Sequence, residues 1–375
     1  MGVIRVLQVL DKLSLNSGVC SIIMNYYDNI DHNKIIFDFM VHGDTPISFK
    51  EKLEGMGSII YQMPELKTKN LLKYIKALNR FFNDHKEYKI VHGHIANAAI
   101  FYLNAAKWHE VPIRIIHSHN SRGADNFIKR ARNYLLNLPI KKISNSYVAC
   151  SDKAADFLFG KSLVDNNKAF ILNNAIDTSK YAYDVNLRHK LREKMNINDS
   201  YVIGHVGRFC NQKNHVFLIE IFNAIHNHNP DTILMLIGEG ELIDKIKEKV
   251  HILDLDDSVI FMGLRNDVNE LMQVMDVFVL PSLFEGLPVV GIEAQTAGLP
   301  CVFSNSITNK ADLTGKVSFI ELNDEIEIWK SKILEFRNKP RNVDNIEKIK
   351  SAGFDIKEQG QKLSSFYIDC LNINN

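Results

Sequence analysis

Long apolar runs are absent from this sequence. No stretch approaches the roughly 20 residues a helix needs to cross a bilayer, which excludes a membrane-spanning helix. Paired cysteines are absent too. The five that occur (Cys20, Cys150, Cys210, Cys301 and Cys370) are scattered and form no CxxC, which excludes a disulfide-stapled scaffold and fits a reducing cytoplasm. A strand pattern starts at Val3 and leaves no room for a signal peptide, so the expected location is again cytoplasmic. There is no low-complexity tract and no repeat at solenoid periods. Basic residues are not interleaved with a recognisable binding motif, so no nucleic acid is expected as a partner.

What is present is an ordinary globular composition over 375 residues, 46% hydrophobic and 24% charged, long enough for two domains. The net charge of +1 conceals an asymmetry. Residues 1–185 hold 24 Lys and Arg against 17 Asp and Glu, whereas the remainder holds 21 against 27. A basic first half implies an anionic neighbour such as phosphate, a lipid headgroup or nucleic acid, or else a solvated surface with no partner.

Apolar strand-length runs alternate with amphipathic helical patterns almost throughout. Strands are expected at 4–10, 35–42, 58–62, 90–93, 113–118, 146–149 and 169–172 in the first half. In the second they are expected at 201–206, 232–237, 258–262, 277–280 and 300–303. Such alternation predicts an α/β protein of two Rossmann-like, doubly wound parallel sheets facing each other across a cleft. The expected domains are 1–178, with 355–375 packing back on it as a helix, and 179–354. Ligands of such sheets lie beyond the carboxyl ends of strands, so the chemistry is sought there.

The run 201–206 leads into Gly207-Arg208-Phe209-Cys210-Asn211-Gln212-Lys213-Asn214 and then an apolar helix. Arg208 and Lys213 thus sit near a helix N-terminus, where cations oppose the macrodipole. The placement makes sense if an anion arrives to share the cations and the free backbone N–H groups, and a diphosphate fits. Further on, 277–280 leads into Pro281-Ser282-Leu283-Phe284-Glu285-Gly286-Leu287-Pro288 before another helix. Pro288 suits the first helical turn, and Gly286 lets the backbone approach a ligand. Glu285 before the helix and Glu293 within it can accept hydrogen bonds from separate hydroxyls of an extended ligand. By spacing alone, a purely stabilising role near a helix start serves as well.

Two HxH pairs, His92-Gly93-His94 and His117-Ser118-His119, end neighbouring strand patterns, each pair on one strand face. Neutral imidazoles so placed are either metal ligands, as in a metal-dependent hydrolase, or hydrogen-bonded residues near strand ends. The segment 126–142 places Phe127, Ile128, Ala131, Tyr134, Leu135 and Leu138 at helical spacing beside Lys129, Arg130, Arg132, Lys141 and Lys142. With Lys67, Lys69, Lys73 and Lys76, it predicts peripheral docking on an anionic membrane surface. A helix packed on its own domain is the competing expectation.

Taken together, these residues resemble the retaining glycosyltransferases of family 4, which have the GT-B fold. Gly207-Arg208 with Lys213, then Glu285-x7-Glu293, carry the resemblance. Ser17-Gly18-Val19 is similar to that family's glycine loop, Asn174-Ala175-Ile176-Asp177 to its linker motif, and Gly263-Leu264-Arg265-Asn266-Asp267-Val268 to its base-binding segment. The nearest likeness is to enzymes of bacterial capsule, exopolysaccharide and O-antigen assembly. One departure is the single glycine, Gly18, where many members have two.

The resemblance implies a nucleotide-sugar donor, with uridine diphosphate the leading choice, and a glycan or lipid-diphosphate-linked acceptor. Arg208 and Lys213 would hold the diphosphate. Glu285, with the backbone of Gly286 and Leu287, would contact the donor sugar, and Glu293 the ribose. Backbone around Arg265 would read the base, and Gly18 and Val19 would approach the diphosphate from the first domain. His119 would lie near the reacting sugar, with His94, His117 and Asn120 on the acceptor side. No DxD segment suggests itself, so no metal or other cofactor is expected. The implied location is the inner face of the plasma membrane. A catalytically inactive partner subunit would be expected to lose Arg208, Lys213 or Glu285, and all three are kept. A nicotinamide dehydrogenase would need a G-x-G-x-x-G turn that residues 14–18 do not supply.

Overall fold

The computed structural model describes residues 2–374 except 15–16, 43–45, 121–125, 167 and 342. The chain divides into two compact units, Met1–Ala175 with Ile356–Asn375, and Ile176–Asp355. Each is a parallel sheet covered on both faces by helices.

The sheet of the first unit contains β1 (Ile4–Leu10), β2 (Ile35–Val41), β3 (Ile60–Gln62), β4 (Ile90–Gly93), β5 (Ile113–Ser118), β6 (Ser146–Ala149) and β7 (Ala169–Ile171). Their order is β3-β2-β1-β4-β5-β6-β7, every neighbour parallel. The second unit contains β8 (Tyr201–Val206), β9 (Thr232–Ile237), β10 (Val259–Gly263), β11 (Val277–Leu280), β12 (Cys301–Ser304) and β13 (Val317–Ile320). Its order, β10-β9-β8-β11-β12-β13, is again wholly parallel. Both orders reverse direction once, beside β1/β4 and beside β8/β11. There successive crossovers leave on opposite faces and open a crevice at the carboxyl ends.

Strand alternation explains the layering. Leu7 and Val9 of β1 join one core cluster, while Val6 and Leu10 join the other. The helix Ile356–Asn374 closes the second of these faces. Ile356, Leu363 and Tyr367 are buried there, and buried Gln359 and Gly360 lie on the same stripe at helical spacing. Gly360 is required by contact, since a Cβ would stand 2.7 Å from the Asn29 carbonyl oxygen.

Most expected strands are found within a residue or two of their ends. β10 and β12 sit one residue later than the pattern implies, because parallel pairing with β9 and β11 fixes their register. β13 lies outside the sequence expectation. Its four residues, VSFI, follow Gly315 and include a serine, so the local pattern is too short to register.

In the second unit a buried cation network ties the helix layer to the sheet. Arg341 donates to the carbonyls of Ala297 (2.9 Å), Met272 (2.7 Å), Gln273 (2.7 Å) and Met275, and its guanidinium lies 4.7 Å from the centre of the Tyr183 ring. Arg188 and Arg192 both reach Asp276, which also accepts from the Val202 amide at 2.8 Å. Replacing Arg341 strands several carbonyls at once. Arg341→Met is expected to lower the unfolding free energy by about 3 kcal/mol, read from urea denaturation with an unchanged m-value.

Candidate functional site

β8 and β11 are neighbours, so the loops that follow them leave the second sheet side by side. After β8 the chain turns through Gly207 and Arg208 into a short 3-10 turn, Asn211–Lys213, then the helix His215–His226. After β11, residues 281–288 lead to the helix Val289–Thr296, with Pro288 at its N-cap rather than in its first turn. Two hydrogen bonds stitch the loops: Leu283 N–H to the Gln212 carbonyl (2.8 Å) and Gln212 Nε2 to the Phe284 carbonyl (3.0 Å). A third joins the charged side chains. Lys213 Nζ donates to Glu285 Oε1 at 2.7 Å, with only 15% and 11% of the two side chains exposed.

Glycine makes this packing possible. A Cβ on Gly207 would stand 3.0 Å from Lys213 Cδ and Cε, so the lysine stem lies directly over the backbone. Gly238, at φ +136°, follows β9; a Cβ there would meet the Gly207 carbonyl oxygen at 2.2 Å. Neither helix following the two loops has a side-chain N-cap hydrogen bond or an acidic residue in its first turn. Their first-turn N–H groups therefore offer partial positive charge to an anion.

Not every expected residue joins this cluster. Arg208 pairs with Glu241 at 2.8 Å, with 71% of the Arg208 side chain exposed. Arg265, after β10, holds Asp267 at 2.7 Å and 2.5 Å through two nitrogens, at the start of the helix Val268–Val274. Gly286 is exposed, while Leu287 packs beside Ile176 and Ile292 and anchors the loop. Glu293 lies within its helix, and burial raises its carboxyl to about 7 despite a hydrogen bond with Tyr181 that pulls the other way. The Tyr181 phenol is pushed well up, by burial and then by Glu293. Sequence reasoning did not find Tyr181, nor Ser304 and Ser306, whose hydroxyls both reach the Ser282 carbonyl.

In the first unit the four expected histidines form one stack. Ring centres lie 4.4 Å apart for His92 and His94, 4.0 Å for His117 and His119, and 5.2 Å for His94 and His119. His94 Nδ1 is 2.9 Å from His119 Nε2, and His94 Nε2 is 2.8 Å from Gln8 Oε1. Burial lowers all four: His92 to about 3, His119 to about 4, and His94 and His117 well down, their neighbours' charge adding to the effect where it acts. All are therefore neutral at physiological pH. His92, His94 and His117 offer ligand nitrogens within 4.8 Å of one another, so the residue types and spacing would admit a metal. They also line a small cavity with Gln8 and Tyr367. Asn120 follows His119 and is exposed.

Gly18 and Val19 open the helix Gly18–Tyr27, where Ser17 Oγ accepts the Cys20 amide at 3.3 Å. A Cβ on Gly18 would meet nothing within 4 Å among the described residues. The basic helix is Phe127–Asn137, and the Phe127 side chain lies outside the described residues. Ile128, Tyr134, Leu135 and Leu138 are 76%, 67%, 63% and 57% exposed, a continuous apolar stripe in solvent beside Lys129, Arg130 and Arg132. Among the described residues, no helix is long and apolar enough to cross a membrane.

Comparison with known proteins places this architecture. The family model for glycosyl transferases group 1 matches residues 200–336, the segment that carries the stitched loops. A Bacillus subtilis protein named as the glycosyltransferase EpsF is 31% identical over 369 residues, covering 97% of this chain and 96% of that one. The chain belongs to the group 1 glycosyltransferases. A second relative of this glycosyltransferase is the Escherichia coli UDP-Gal:alpha-D-GlcNAc-diphosphoundecaprenol alpha-1,3-galactosyltransferase, 29% identical over 80% of this chain and 79% of that one. Among solved structures, Anabaena HepE in complex with UDP superposes with a TM-score of 0.77 over 98% of this chain and 100% of that one, at 17% identity, which speaks for the fold.

Glu293 gives this glycosyltransferase a testable pH signature. Its folded value near 7 lies above that of an unfolded glutamate, about 4.3. The stability it contributes is full below the unfolded value and is lost as pH rises through about 7. Glu293→Gln is therefore expected to gain on wild type by on the order of 2 kcal/mol between about pH 5 and pH 8. Parallel stability curves for the two proteins would show the carboxyl already ionised.

Proposed function

We propose that the chain transfers a sugar, with retention of anomeric configuration, from a uridine diphosphate sugar to a lipid-diphosphate-linked glycan in cell-surface polysaccharide assembly. The observation that carries the reading is the half-buried Lys213–Glu285 pair between two uncapped helix N-termini. Lys213 and Arg208 hold the diphosphate and offset the negative charge that grows as the sugar leaves. Glu285 passes from Lys213 to the sugar hydroxyls, with the backbone of Gly286 and Leu287 beside it. Glu293 accepts from the ribose, and backbone near Arg265 meets the base. The first turn at Gly18 and Val19 offers N–H groups to a phosphate. The acceptor hydroxyl oxygen bonds to the anomeric carbon as the bond to the diphosphate breaks on the same face. A departing phosphate oxygen takes the hydroxyl proton. His119 lies by the reacting sugar, with His94, His117 and Asn120 on the acceptor side.

The donor and acceptor named in the Escherichia coli relative support the uridine and lipid-diphosphate parts of this reading, as does the UDP bound in HepE. Metal independence is supported by His94, whose two ring nitrogens are engaged by Gln8 and His119, and by the cations available at the leaving group. The test is a transfer assay across sugar nucleotides with excess chelator. Uridine diphosphate sugars are expected to react undiminished and give a product of retained configuration. Lys213→Ala should lower kcat/KM by about 100- to 1000-fold. A wild-type rate in that variant, or activity lost to chelator with stoichiometric metal in the protein, would sink the reading and favour a hydrolase at the histidine cluster.

The exposed stripe and cations of the helix Phe127–Asn137 support docking on an anionic membrane surface. Neutralising Lys129, Arg130 and Arg132 together is expected to weaken binding to phosphatidylglycerol vesicles about 100-fold, measured by co-sedimentation. Undiminished binding would assign that surface elsewhere.

A further inference from the structure

A buried amide sits on the face of β1 that otherwise carries Val6 and Leu10. Gln8 is fully enclosed, with Oε1 2.8 Å from His94 Nε2 and Nε2 donating to Tyr367 Oη at 3.2 Å. An amide oxygen has no hydrogen to give, so His94 Nε2 carries the proton. Burial keeps that imidazole neutral, which leaves Nδ1 bare to accept from His119 Nε2 at 2.9 Å. His119 is neutral as well, so its own Nδ1 is bare. That atom is buried and has no partner among the described residues. On the other arm, Tyr367 Oη receives the Gln8 amide hydrogen and gives its own to His92 Nδ1 at 2.6 Å. His92 then keeps its proton on Nε2.

We propose that Gln8 and Tyr367 are positioning residues that fix His94 and His119 as Nε2–H tautomers, leaving His119 Nδ1 as a preformed acceptor for a substrate hydroxyl. An unpaired buried acceptor costs stability, and a hydroxyl brought by the substrate supplies the missing donor. The direction of the hydrogen bonds from Gln8 through His94 to His119 follows from the orientation of one amide. Tyr367 sets that orientation from the helix Ile356–Asn374. The use of His119 rests on the glycosyl-transfer reading, whereas the tautomers do not.

Long-range 1H–15N NMR on the full chain with 15N-labelled imidazoles, without substrate, tests this directly. The expected wild-type result is protonated Nε2 and bare Nδ1 in His92, His94 and His119. In Gln8→Leu, His119 should divide between both tautomers, and kcat should fall roughly tenfold with the donor KM unchanged. Tyr367→Phe keeps the ring in the core but frees the amide, and should also split the His119 signal. Protonated Nδ1 on His119 in the wild type would overturn the proposal, even if neither variant folds. Unchanged tautomers and rate in Gln8→Leu would overturn it equally. The expected tautomers in a protein without transfer activity would overturn the assigned use of His119 and leave the tautomer assignment standing.

Discussion

The bond between Lys213 and Glu285 depends on a constraint set far below it, the adjacency of β8 and β11. Parallel strands need crossovers, and crossovers that diverge leave one crevice uncovered by any helix. Into that crevice the second sheet sends two loops whose closest backbone approaches are made at glycine. The lysine reaches the carboxylate because its stem lies over Gly207. Each charge screens the other in a half-buried place where either alone would be costly. In the proposed reaction the diphosphate replaces Glu285 as the partner of Lys213. The carboxylate is then released next to the sugar as the phosphate binds, so donor binding itself arms the site.

The first unit uses the same topology with neutral groups. β1 and β4 adjoin, Gln8 is in register with His92, and β5 brings His117 alongside. Four imidazoles without charge make a buried polar cluster that brings no net charge into the core of the first unit.

Strand positions were legible because runs such as VLQVL and ILMLI alternate with amphipathic helices, a local signal. Gly207, Lys213 and Glu285 were legible as motif residues at strand ends. Their contact was not, since 72 positions separate the charged pair and only sheet order brings them together. The same holds for Arg208, whose partner Glu241 follows β9. Gln8 passed as part of an apolar strand, where one amide barely disturbs the pattern. Tyr367 is one of two aromatics in the terminal helix, and Tyr181 lies between β7 and the helix Val185–Lys194, so neither stands out locally. Each gained meaning only from a neighbour distant in sequence.

The helix that carries Tyr367 is the last element of the chain, yet it completes the core of the first unit. During synthesis that unit must wait, with one face of its sheet unsealed, while the intervening 176–355 emerge. At about 5–20 residues per second, the exposed interval lasts on the order of ten seconds or more. The second unit, continuous in sequence, can fold within that interval. Assembly on the ribosome is thus reversed for the two units: the one spanning Ile176–Asp355 closes first, and the one that contains β1 is finished last.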